Sequence, residues 1–119
     1  MDKIIPTVGR IVYYKLSTQD AEEINKRRSD YAQNDKSVWP MGAQAHVGNH
    51  VEAGEIVPMI VVAVWENELV NGHVFLDGSD TLWVTSRPKG EEPGNWDWMP
   101  FQKDQQARLA KEDEEEAAG

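Results

Sequence analysis

The chain has 119 residues, a mass of 13.5 kDa and a formal net charge of −9 from 21 acids and 12 bases. That length suits one hydrophobic core, and so acidic a chain repels phosphate backbones, so neither a second domain nor duplex nucleic-acid binding is expected. There is no cysteine, which removes disulfide and thiol chemistry and suits a reducing compartment; neither a signal-peptide core nor a run near the ~20 apolar residues of a membrane helix occurs, so the sequence predicts a soluble intracellular protein with no membrane partner.

Val8 to Leu16 is rich in β-branched and aromatic residues and predicts a first strand. Ser17 follows, with Asp20 three residues on, which approximates a capping box with Asp in place of Glu. From Thr18 to about Tyr31, Ala21, Ile24, the Arg28 stem and Tyr31 fall on one face of a short amphipathic helix. Its acids (Asp20, Glu22, Glu23) come early and its bases (Lys26, Arg27, Arg28) toward the end, an order that complements the helix dipole. Residues 32–42 read as loop, Ala43 to Val47 as a short strand, and Gly48-Asn49 and Ala53-Gly54 as turns.

Residues 56–98 hold the strongest pattern, three apolar β-runs with four of the five tryptophans (Trp65, Trp83, Trp96, Trp98). Ile60 to Val64 has no polar interruption and predicts a strand buried on both faces, with Trp65 at its end in the core. Pro58 marks a strand start or an edge. Val70 to Leu76 is the next strand. Asp77-Gly78-Ser79-Asp80 predicts a hairpin turn in which glycine supplies positive φ. Thr81 to Ser86 is a third strand, with Leu82 and Val84 on one face and Trp83 and Thr85 on the other. Arg87 to Gly94 is a Pro/Gly loop, and Asn95 to Met99 is a short closing strand stopped by Pro100. Phe101 to Ala118 has a helical composition but a thin apolar stripe, Phe101 and Leu109. Its acidic run, Glu112 to Glu116, sits where the dipole favours bases, which predicts fraying.

The expected fold is mainly β within the α+β class. It is a small antiparallel SH3-like partly open barrel or meander with one helix after the first strand and a C-terminal helix; an open α+β sheet is the alternative. Residues 1–101 form the β-rich domain and residues 102–119 a helical acidic tail.

Surplus tryptophans either pack a barrel or present flat faces for stacking, and cations beside aromatics are how ring-bearing anions are gripped. The candidate ligand-binding residues are therefore Tyr13, Tyr14, Trp83, Trp96 and Trp98 for stacking, with Arg10, Arg27, Arg28 and Arg87 for phosphate. His46, His50 and His73 do not form a metal-ligand pattern, because Gly48 and Asn49 interrupt the first pair and no acid or cysteine completes a set. No nucleophile elbow or phosphate-cradling glycine motif occurs. A non-enzymatic protein without metal or cofactor is expected.

The segments Ile5 to Ser17, Gln44 to Asn49, Val74 to Gly78 and Trp83 to Ser86 together resemble a widespread group of small bacteriophage-encoded proteins. The ending Trp96 to Gln102, followed by a Lys/Gln/Ala/Glu helix, is also similar to the endings of such proteins. The resemblance implies a phage or prophage origin, an accessory role and a place in the cytoplasm of the bacterial host. It carries over no catalytic residue. The expected function is a binding protein that counters host defence, in its sharper form a homo-oligomeric sponge for a cyclic or ADP-ribose-type nucleotide. The alternative is an acidic protein-interaction module that inhibits a host defence protein, or a virion assembly or decoration protein.

Overall fold

The structure, a computed structural model, describes residues 4–33 and 45–118, with side chains through Leu109 and at Lys111. Five antiparallel strands form one sheet: β1 (Ile11–Lys15), β2 (Ile56–Val64), β3 (Val70–Phe75), β4 (Thr81–Arg87) and β5 (Trp96–Asp97). Their order across the sheet is β4-β3-β2-β1-β5. Helix α1 (Thr18–Gln33) follows β1, and helix α2 (Pro100–Ala118) ends the chain. The molecule is thus a small, mostly β, α+β protein.

Alternation sets which face of the sheet is the core. Val12 and Tyr14 of β1, Met59 and Val61 of β2, Val70 and Val74 of β3, Leu82 and Val84 of β4, and Trp96 of β5 are all buried. They form one cluster with Ala21 and Ile24 of α1. The apolar stripe read from the sequence is therefore the stripe that covers the inner face. The capping box is present and reciprocal: Asp20 N donates to Ser17 Oγ and Ser17 N donates to Asp20 Oδ2, both at 3.0 Å.

After β4 the chain crosses to the far edge of the sheet. There Trp96 N donates to Pro88 O and Gly90 N donates to Trp96 O, so residues 88–90 run beside β5. Trp96 closes this end of the core, and its Nε1 donates to Glu68 O at 2.8 Å. Pro100 opens α2, where a missing N–H costs nothing. Gln102 ties the helix to the sheet: its Nε2 donates to Ile11 O at 3.0 Å and its Oε1 accepts from Met99 N.

Several expectations are corrected. Val62 and Val64 are exposed, so β2 is not buried on both faces; the described residues cover only one face of the sheet, and a bulge between Val61 and Ala63 breaks the alternation. The same bulge carries Trp65 out of the core. It is 53 % exposed, with Nε1 donating to Asn71 Oδ1 at 3.1 Å. The first strand begins at Ile11 because Val8 and Gly9 turn, with Arg10 N donating to Thr7 O. Of the short strand expected at 43–47, residues 43 and 44 lie outside the described residues. Residues 45–47 are not strand, and pairing is limited to a bridge between Gly48 and Gly78. Most of the loop expected at 32–42 also lies outside the described residues, while Ala32 and Gln33 belong to α1. Lys26, Arg27 and Arg28 are not in the last turn of α1, which runs on to Gln33.

Candidate ligand groove

Two of the candidate arginines are occupied by a buried acid. Asp80 closes the turn between β3 and β4, and its side chain is fully buried. Arg28 Nη2 donates to Asp80 Oδ1 at 2.9 Å, Arg27 Nη2 stands 3.5 Å from Oδ2, and His46 Nδ1 lies 3.1 Å from Oδ2. Arg28 Nη1 also donates to Asn49 O. Burial pushes the Asp80 carboxyl up, but the hydrogen bonds from Arg28 and His46 and the charges of Arg28 and Arg27 outweigh it and hold the group below the usual carboxylate range. The glycines here make room rather than a turn. A Cβ on Gly78 would lie 2.7 Å from Arg28 Nη2, and one on Gly48 would lie 2.6 Å from Arg28 Cζ. Neither has positive φ, so the expected reason for Gly78 is replaced by close approach. Arg27 and Arg28 thus clasp α1 to the turn and to the segment at 45–50, and do not line an open phosphate site.

Tyr14 and Arg87 form a second clasp. The Tyr14 hydroxyl donates to Asp20 Oδ2, and the Arg87 guanidinium lies over the Tyr14 ring at 5.9 Å with Nη2 3.5 Å from Asp20 Oδ1. Burial, then the hydrogen bond and charge of Asp20, push the Tyr14 phenol well above its usual range. Tyr14 is fully buried and Trp96 likewise, so neither offers a ring face for stacking. Trp96 and Trp98 pack edge to face at 5.0 Å and 88°. Trp83 faces the other way, 60 % exposed on the outer face of the sheet.

Of the remaining candidates, Tyr13 and Trp98 meet at one place. Tyr13 stands on the outer face of β1, opposite Asp97 of β5. Together with Trp98, Lys15, Ile56 and Lys103 they line a groove of about 370 Å³ between the sheet edge, the 90–95 loop and the start of α2. The groove continues past Lys89 along α2. Lys103 Nζ binds Asp97 Oδ2 at 2.9 Å, Lys89 Nζ lies 3.9 Å from Oδ1, and Lys15 Nζ donates to the backbone carbonyl of Glu91 at 2.6 Å. Three ammonium groups face two carboxylates, Asp97 and Glu91. The groove is therefore locally cationic on a chain of net charge −9. Trp98 is buried with its Nε1 lacking an acceptor among the described residues, and Arg10 lies 5.6 Å from its ring centroid.

Chemically, the groove can hold an anion through lysines and a flat or apolar group against Tyr13 and Ile56. Its size falls in the ~300–1,000 Å³ range of small-molecule sites. Sequence reasoning missed Lys15 and Lys103, and placed Lys89 only as a cation near the tryptophans in sequence. Lys15 shares the period-2 face of Tyr13 and was within reach of that signal; Lys89 and Lys103 arrive through pairing of distant segments. Among the described residues no group of three or more His, Cys, Asp or Glu is placed to hold a metal. His46 binds Asp80, His50 binds Glu52 and His73 stands on the outer face. No described helix is long and apolar enough to cross a membrane. Comparison with protein-family models, with curated proteins and with solved structures returns no match.

Proposed function

We propose that this protein is a non-enzymatic binding protein for a small anionic, ring-bearing ligand of the nucleotide type. The observation that carries the reading is the convergence of Lys15, Lys89 and Lys103 with Tyr13 and Trp98 on one groove of an otherwise acidic chain. The perturbed groups Tyr14 and Asp80 are committed to clasps that hold the fold, which favours binding over acid–base chemistry. The strap at 88–90 beside β5 supports describing the sheet as an SH3-like partly open barrel. Together with the resemblance to small phage proteins, the groove supports a role in the bacterial host's cytoplasm as a sponge that withdraws a cyclic or ADP-ribose-type immune nucleotide.

Calorimetry of the full chain against a panel of cyclic and ADP-ribose-type nucleotides tests the reading. One member should bind, and Lys89→Ala with Lys103→Ala should weaken it about tenfold or more, the loss expected of charge-assisted contacts of about 1.5–3 kcal/mol. No heat and no thermal shift with any member would sink the proposal.

A further inference from the structure

The outer face of the sheet is apolar. The register places Trp83 beside His73, His73 beside Ile60 and Ile60 beside Ile11, in a row across four strands. In the next row Phe75 lies beside Thr81, and Tyr13 stands between Pro58 and Asp97. Trp83, Ile56, Ile11 and Phe75 are all exposed. A contiguous apolar surface of this kind marks a site of association, where scattered single residues would not.

Charge selects the occupant. The outer face carries one base, Lys15, and one acid, Asp97, by the register of its strands. The net charge of −9 therefore belongs to the rest of the chain. A basic partner would be drawn to that acidic remainder. A second copy is repelled there, whereas on this face the one base and one acid, Lys15 and Asp97, cancel. The edge of β4 is the competing surface, but a bulge against β3 between Val70 and Gly72 and the positive φ of Ser86 distort it, which discourages strand addition.

We propose that the outer sheet face packs against the same face of a second copy, with Trp83 as the anchor. The geometry is that of a sandwich cut in half. Two such faces stack about 10 Å apart with strands about 30° from parallel, and a two-fold axis makes the contact self-complementary. Five strands spaced about 4.8 Å and about five residues long give a footprint of roughly 20 by 17 Å. With side-chain relief this is on the order of 600 Å² per copy, short of the ~800 Å² of a standard interface. The dimer is therefore weak and reversible. Tyr13, Lys15 and Ile56 belong both to this face and to the groove, so the second copy roofs the open side of the groove. The pairing itself does not rest on the ligand reading.

Sedimentation equilibrium of the full chain, without nucleotide, tests it. The mass should rise with concentration from 13.5 kDa to twice that value. Trp83→Asp and Phe75→Asp should each weaken the dimer tenfold or more while leaving the circular dichroism spectrum unchanged, since both side chains are exposed. A wild-type chain that stays at 13.5 kDa throughout overturns the proposal, whether its face is then free or covered by something else. So does a dimer that both variants leave intact.

Discussion

Replacing Asp80 by asparagine removes one negative charge from the centre of the first clasp and keeps its shape. The carboxylate is fully buried and Arg28, 2.9 Å away, is 7 % exposed, so solvent screens the pair little. With charge centres about 4 Å apart and an effective dielectric of about 20, the attraction is about 4 kcal/mol. The variant keeps a hydrogen-bond acceptor for Arg28 but leaves a buried guanidinium without a counter-charge, a defect that costs about 3–5 kcal/mol in comparable pairs. Asp80→Asn should therefore lose about 3 kcal/mol in urea unfolding, which is roughly a 10–15 °C fall in Tm for a domain of this size. Adding Arg28→Met removes the orphaned charge and should recover at least about 1 kcal/mol of that loss. The pH dependence gives an independent check. Asp80 has a lowered folded pKa, so its stabilisation is complete above the unfolded value near 4 and disappears as pH falls through the folded value. The wild type should lose stability below about pH 4 more steeply than Asp80→Asn. A single variant within about 1 kcal/mol of wild type, or a double variant as unstable as the sum of its parts, would refute the account of the clasp.

Two further outcomes are expected. Tyr14→Phe should cost about 1.5–3 kcal/mol by removing a buried hydrogen bond to the Asp20 carboxylate; because the folded phenol pKa is raised, its contribution is intact below about pH 10 and lost as pH rises further, so the wild type should show an alkaline loss that the variant lacks. Trp96→Ala should cost about 3–5 kcal/mol as a core truncation, whereas Trp65→Ala should cost less than about 1 kcal/mol, since its ring is half in solvent; equal losses in denaturant would contradict the placement of both rings.

Local signals in the sequence correspond to local structure. The reciprocal bonds of Ser17 and Asp20 open α1, where Ala21, Ile24 and the Arg28 stem face inward. Leu82 and Val84 point into the core and Trp83 out of it, as the period of two requires. Pro100 begins α2. Each of these depends on residues within one or two turns of chain, so spacing alone carries the information.

What the sequence could not supply depends on partners distant in the chain. The run Ile60 to Val64 reads the same whether a strand is covered on one face or two; coverage depends on α1 lying across only one side of the sheet. A bulge of one residue sends Trp65 outward, and bulges leave no mark in an unbroken apolar run. Arg27 and Arg28 had the composition of a phosphate clamp until the turn at Asp80, over fifty residues away, occupied them. The sequence by itself determined most of the elements, the inward faces of α1 and β4, and an acidic chain with surplus aromatics. Tertiary pairing decided the rest: β1 against β5 brings Tyr13 to Asp97 and gathers three lysines around a groove, because a site is made of side chains whose proximity only the assembled sheet defines.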